Sequence, residues 1–121
     1  MAAATRAVRI LTQDGVVVCE RCELANRLLP RMRGLLGRGS LRPGTGILLT
    51  PEPSVHTLFM RFSIDVVFLD KANTIVKIAH ELRPWRAAGT RKAFAALELP
   101  AGTAVALALQ PGMTLVVSPA G

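Results

Sequence analysis

The run Ser54–Asp70, SVHTLFMRFSIDVVFLD, constrains the fold more than any other stretch of the chain. It is the densest concentration of β-branched and aromatic residues, the types that suit a pleated surface. Read with a period of two, His56, Leu58 and Met60 share one face, and Thr57, Phe59 and Arg61 share the other. In the second half Val66 and Phe68 lie opposite Asp65, Val67 and Leu69. Apolar residues on both faces require both to be covered. His56, Arg61 and Asp65 at the strand ends then need partners, because an unpaired buried charge is very costly. Two readings follow: a structural Arg61–Asp65 pair beside a hydrogen-bonded His56, or a polar cluster at the mouth of a pocket.

The remaining segments extend the β pattern. Val8–Leu11 and Val16–Cys19 flank Gln13-Asp14-Gly15, a turn signal, and predict a hairpin. Leu28, Leu29, Met32, Leu35 and Leu36 recur at helical spacing. Pro30 is tolerated in a first turn, which predicts a helix from about Leu29 to a stop at Gly37. Residues 37–46 read as a loop and Ile47–Leu49 as a strand. His56–Met60 and Asp65–Leu69 read as strands around a break at Arg61–Ser63, and Thr74–His80 as another. Glu81–Lys92 reads as a long connection containing Pro84, Trp85 and Gly89. Ala93–Leu99 and Met113–Ser118 are strands. Thr103–Leu109 suits either state, and the Thr after Gly102 favours a short helix. Short strands joined by tight turns predict a mainly β fold, a single-domain antiparallel sandwich or barrel with one or two short helices.

A length of 121 residues predicts one domain spanning 1–121. The formal charge is +7, and eight of the twelve Arg lie between Arg6 and Arg42. Such a balance attracts anionic partners. The bases are scattered, however, Tyr is absent, and one Trp with four Phe leaves little to stack on bases, so nucleic acid is an unfavoured partner. No apolar run reaches the roughly 18 residues of a membrane span. The first ten residues carry no export signal pattern, so the expected compartment is the cytoplasm.

Classical catalytic patterns are missing. Gly34, Gly37 and Gly39 follow the expected helix rather than opening one, which is wrong for a phosphate cradle. Arg33, Arg38 and Arg42 surround that loop and could grip an anion if they converge. There is no nucleophile elbow. Cys19 and Cys22 have Cys-x-x-Cys spacing, but an offset of three in an unbroken strand puts the thiols on opposite faces. A dithiol or metal clip would need a turn at Glu20-Arg21. His56 and His80 lack finger spacing, so no metal site and no cofactor is expected.

Three blocks in order resemble the domain of unknown function 192 family. They are Arg31-Met-Arg-Gly-Leu-Leu-Gly-Arg38, then Phe59-Met60-Arg61 leading into Ile64-Asp65-Val66-Val67-Phe68-Leu69-Asp70, then Leu97-Glu98-Leu99-Pro100-Ala101-Gly102. Gly112 near the last strand also matches. The resemblance implies a compact, mainly β domain with a helix at the first block, and no established activity. Many members carry an export signal, which this chain departs from, and Phe59 stands where Trp is frequent. The polar and charged positions of these blocks, with His56, place a candidate site at Arg33, Arg38, His56, Met60, Arg61, Asp65 and Glu98. The expected function is a small binding or accessory module, monomeric, holding a small ligand or a protein segment. The alternatives are an enzyme using Asp65 or His56 as general base, and an electrostatic binder of nucleic acid or an anionic surface.

Overall fold

A seven-stranded sheet curls until its two outermost strands touch at one end. The computed structural model describes residues 7–25, 41–51, 54–57 and 60–120. Among these, the order is β1 (Ala7–Thr12), β2 (Val17–Ala25), β3 (Thr45–Leu49), β4 (Ser54–His56), β5 (Ile64–Leu69), β6 (Ile75–Leu82), β7 (Ala87–Gly89), β8 (Ala95–Pro100), α1 (Thr103–Ala106) and β9 (Leu115–Pro119). The large sheet runs β6-β5-β8-β3-β2-β1-β9, and β4 with β7 forms a separate ribbon. Every pairing is antiparallel except β2 with β3, which is parallel. The helix expected from Leu29 to Gly37 lies outside the described residues.

The β1–β2 hairpin forms as its turn residues dictate. The Thr12 hydroxyl accepts the N–H of Val16 at 3.0 Å and bonds the Asp14 carboxylate, while Gly15 takes φ 92°. Only a residue without Cβ adopts that conformation freely. Beyond the turn, β2 continues well past the Val16–Cys19 limit expected of it. A β-bulge makes the continuation possible: Ile10 faces Cys19 and Val8 faces Cys22, so three steps on β2 oppose two on β1. The N–H groups of Glu20 and Arg21 both reach the Gly44 carbonyl, at 2.9 and 3.1 Å. The strand is thus interrupted at Glu20-Arg21, where a same-face pair requires it, and both cysteines are fully buried in the same cluster.

Two apolar layers share the sheet. The inner one fills the half-barrel with Ile10, Cys19, Cys22, Leu48, Val67, Leu69, Ile75, Leu97, Leu99 and Leu115. The outer one joins Ile47, Leu49, Ile64, Val66, Phe68 and Ala96 to Leu41, Val55 and Met60. β5 is buried along its whole length because it separates the two layers. Its alternation is the one expected: Val67 and Leu69 inward, Val66 and Phe68 outward. α1 packs its Ala104 on the inner layer and touches β5, β6 and β8.

The edges β6 and β9 meet at a Thr74–Thr114 bridge, where the two hydroxyls lie 2.9 Å apart. Ile75 N–H donates to the Met113 carbonyl at 2.8 Å, and Leu115 N–H to Asn73 at 2.9 Å. Strands β6 and β9 leave this point without further pairing to each other. The half-barrel is therefore closed at one end and open at the other. Two departures from expectation lie in the outer layer: β4 stops at His56, and Ala87–Gly89 within the expected long connection is a strand. The cause is one pairing, in which Val55 faces Ala88 and His56 faces Ala87.

Candidate functional site

The residues proposed as a site from sequence fall on both sides of the sheet. Asp65 points inward, where it is completely buried. Its Oδ1 accepts the Glu81 N–H and its Oδ2 the Ala104 N–H, both at 2.8 Å. Helix N-termini leave unsatisfied N–H donors that attract a carboxylate. Gly102, at the α1 cap, offers no side chain for that task, and Asp65 supplies it from another strand. Glu98, also fully buried, lies across from Ile47 and Val66, on the outer side with Met60. Arg61 is exposed at the break before β5. No Arg61–Asp65 ion pair forms; among the described residues Arg9–Glu20, at 3.2 Å, is one that does. Arg33 and Arg38 lie outside the described residues, and His56 ends β4.

A different residue organises the His56–Arg61 segment. Thr57 is completely buried, and it holds the turn Arg83-Pro84-Trp85-Arg86. Its hydroxyl lies 2.5 Å from the Arg83 carbonyl and 3.1 Å from that of Arg86, and it accepts the Arg86 N–H at 2.9 Å. Its backbone N–H donates to the Arg86 carbonyl at 2.8 Å. Its own carbonyl accepts both the Trp85 N–H, at 2.9 Å, and the Met60 N–H, at 3.2 Å. One buried threonine thus ties the approach to Arg61 to the Trp85 turn.

That turn is strained. Trp85 has φ 64° and nearby Glu81 φ 47°, a region that bulky side chains rarely adopt. Such strain persists only where surrounding contacts enforce it. Trp85 nevertheless shows 55% of its surface. Arg83 and Arg86 are exposed on either side of it in the chain, Arg61 is exposed one residue beyond Met60, and the Arg86 guanidinium donates to the Trp85 carbonyl at 3.3 Å. The sequence signal was present in the single Trp of the chain, set between two arginines. It went unread because a strand-to-strand connection conceals which buried residue it folds onto.

A concavity lies at the open end of the half-barrel. It has a volume of about 460 Å³ and is lined by Ala7, Val8, Leu24, Val117, Ser118 and Pro119. Val8, Leu24 and Val117 continue the inner apolar layer outward to it. No group of three His, Cys, Asp or Glu side chains converges as metal ligands among the described residues. No helix among them is long and apolar enough to cross a membrane.

These features define a class of small half-barrel β domain, capped by a short helix and carrying a stapled, exposed aromatic turn. Residues 9–117 match the model of domain of unknown function 192, described as an uncharacterized ACR, and the chain belongs to that family. It is 32% identical to a UPF0127 protein of Pyrococcus abyssi over 99 residues, covering 76% of this chain and 81% of that one. It is 34% identical over 76 residues to a UPF0127 protein of Thermococcus sibiricus, covering 60% of this chain and 49%, about half, of the relative. A crystal structure from Sinorhizobium meliloti, provisionally named a transcription regulator, aligns with TM-score 0.80 at 27% identity, over 97% of this chain and 96% of that one. A protein of unknown function from Novosphingobium aromaticivorans aligns with TM-score 0.76 at 22% identity, over 95% and 94% of the two chains.

Proposed function

We propose that the chain is a non-enzymatic binding module that receives a small anionic ligand with a planar or apolar face at the Trp85 turn. One observation carries this reading: a fully buried threonine uses its hydroxyl, N–H and carbonyl to hold an exposed tryptophan in a strained backbone conformation. Trp and Arg are the side chains that dominate recognition surfaces. Here Arg61, Arg83 and Arg86 supply the charge and Trp85 the face for stacking or cation–π contact. Met60 and His56 belong to the supporting segment. The general-base alternative is less supported at Asp65, whose two oxygens already serve backbone N–H groups.

Trp85 is the sole tryptophan, so its fluorescence reports directly on the site. Titration with nucleotides, sugar phosphates and aromatic carboxylates should give saturable quenching with at least one class. Trp85→Ala and the double variant Arg83→Ala/Arg86→Ala should abolish binding, followed by calorimetry, while leaving the fold intact by circular dichroism. Silence across the panel, or affinity that survives both variants, would overturn the reading. A short oligonucleotide arm tests the electrostatic alternative, whose affinity must fall steeply with salt.

A further inference from the structure

We propose that Cys19 and Cys22 form a redox-active dithiol that closes to an intramolecular disulfide when a peroxide enters the open end of the half-barrel. The inference is independent of the Trp85 reading. It begins with the bulge at Glu20–Arg21, which turns an offset of three residues into a step of two relative to β1. A step of two corresponds to about 6.6 Å along a strand. The usual range of Cα separation in disulfides extends to about 6.8 Å. The bulge therefore brings both side chains to one face, just inside the outer limit of the Cα spacing a disulfide spans, and the thiols donate to backbone carbonyls, Cys19 to Gly44 at 3.6 Å and Cys22 to Glu23 at 3.9 Å.

The neighbouring strand leaves room for the sulfur pair. Gly46 stands opposite Cys22 on β3, and a Cβ there would lie 3.2 Å from the Cys19 sulfur and 2.6 Å from the Glu98 carbonyl oxygen. Any side chain at Gly46 would press into this space. The chemistry of the two thiols is also divided. The neighbouring Cys22 thiol, above all, holds Cys19 below the ordinary thiol range against the opposing effect of burial, and the Arg21 N–H adds to it. The same pairing, with burial and the charges of Cys19, Glu23 and Glu98, raises Cys22. Cys19 is thus the nucleophile and Cys22 the resolving partner.

Both sulfurs are completely buried, so the oxidant must be small. The route is the concavity lined by Val8 and Leu24: Val8 is the cross-strand partner of Cys22, and Leu24 is two residues beyond it on β2. The Cys19 thiolate attacks one peroxide oxygen; an S–O bond forms, the O–O bond breaks, and the departing hydroxide takes a proton to become water. Cys22 then attacks the Cys19 sulfur; the S–S bond forms, the S–O bond breaks, and a second water leaves with the Cys22 proton. The dithiol loses two electrons and the peroxide gains them. A small dithiol reductant reverses the step by exchange.

The test is hydrogen peroxide added to the folded full-length chain, with alkylation and intact mass as readout. The expected result is loss of both alkylatable thiols, a mass lower by two hydrogen atoms, no covalent dimer, and full recovery with dithiothreitol. Cys22→Ser should trap a sulfenic acid at Cys19 that dimedone labels, whereas Cys19→Ser should leave Cys22 unlabelled. A bulky aromatic disulfide reagent should react far more slowly than peroxide. Two thiols that stay alkylatable after peroxide, a disulfide linking two copies, or oxidation no faster than global unfolding by hydrogen exchange would overturn the proposal. The wild-type mass decides the matter even if a serine variant fails to fold.

Discussion

The carboxylate of Asp65 caps a helix that lies thirty-nine residues further along the chain, accepting the Ala104 N–H at 2.8 Å while its other oxygen takes Glu81 N–H. Asp65→Ala leaves the buried Ala104 N–H without a partner, at a cost of about 1–3 kcal/mol, and also releases the Glu81 N–H. Urea unfolding should show that loss. Ligand binding at Trp85, measured on the folded fraction, should change little.

Thr57→Val keeps the shape and removes the hydroxyl that Arg83 and Arg86 share. The orphaned Arg86 N–H should cost about 1–3 kcal/mol. The freed turn should relax from its strained φ, so Trp85 emission should shift and its quenching by acrylamide should change. Unchanged emission with lowered stability would separate packing from turn geometry.

Gly46→Ala and Gly15→Ala make a contrasting pair. At Gly46 an added Cβ collides with backbone, 2.6 Å from the Glu98 carbonyl oxygen. Overpacking of that kind costs about 1–3 kcal/mol, sometimes more. At Gly15 nothing lies within 4 Å, and the cost comes only from φ 92°. It should be about 1–2 kcal/mol. Thermal unfolding of the two variants should rank Gly46→Ala as the more damaging.

Ala108→Gly should stabilise the chain. Ala108 is exposed just beyond α1 at φ 54°. Relief of left-handed strain is worth about 1 kcal/mol, partly offset by the greater freedom of Gly when unfolded. A rise in the denaturation midpoint at unchanged slope would confirm that the folded state gained.

Much of the half-barrel was legible because alternation survives where a strand separates two apolar layers. Ile64–Leu69 is the clearest case, and Thr103 after Gly102 correctly pointed to a short helix. What was hidden depended on partners remote in sequence. A bulge at Glu20–Arg21 cannot be read from Cys-x-x-Cys, since it exists only against β1 and Gly44. The parallel β2–β3 contact is likewise a property of two strands together. At the candidate site, local polarity drew attention to Asp65, yet the structure gives it a helix to cap. Thr57, an ordinary residue between His56 and Leu58, instead organises the exposed turn.

The Thr74–Thr114 bridge has a consequence for how the chain coexists with other copies of itself. A sheet that ends in two bare strands invites further strands to add. Here the two outermost strands occupy each other at one end. Beyond it, β6 presents exposed Lys77, His80 and Glu81, and β9 finishes in Pro119, which has no N–H to offer. A second copy adding to either margin would have to displace the bridge or sit against charge and proline. The same closure that shapes the interior therefore shortens the strand edge left open to a second copy.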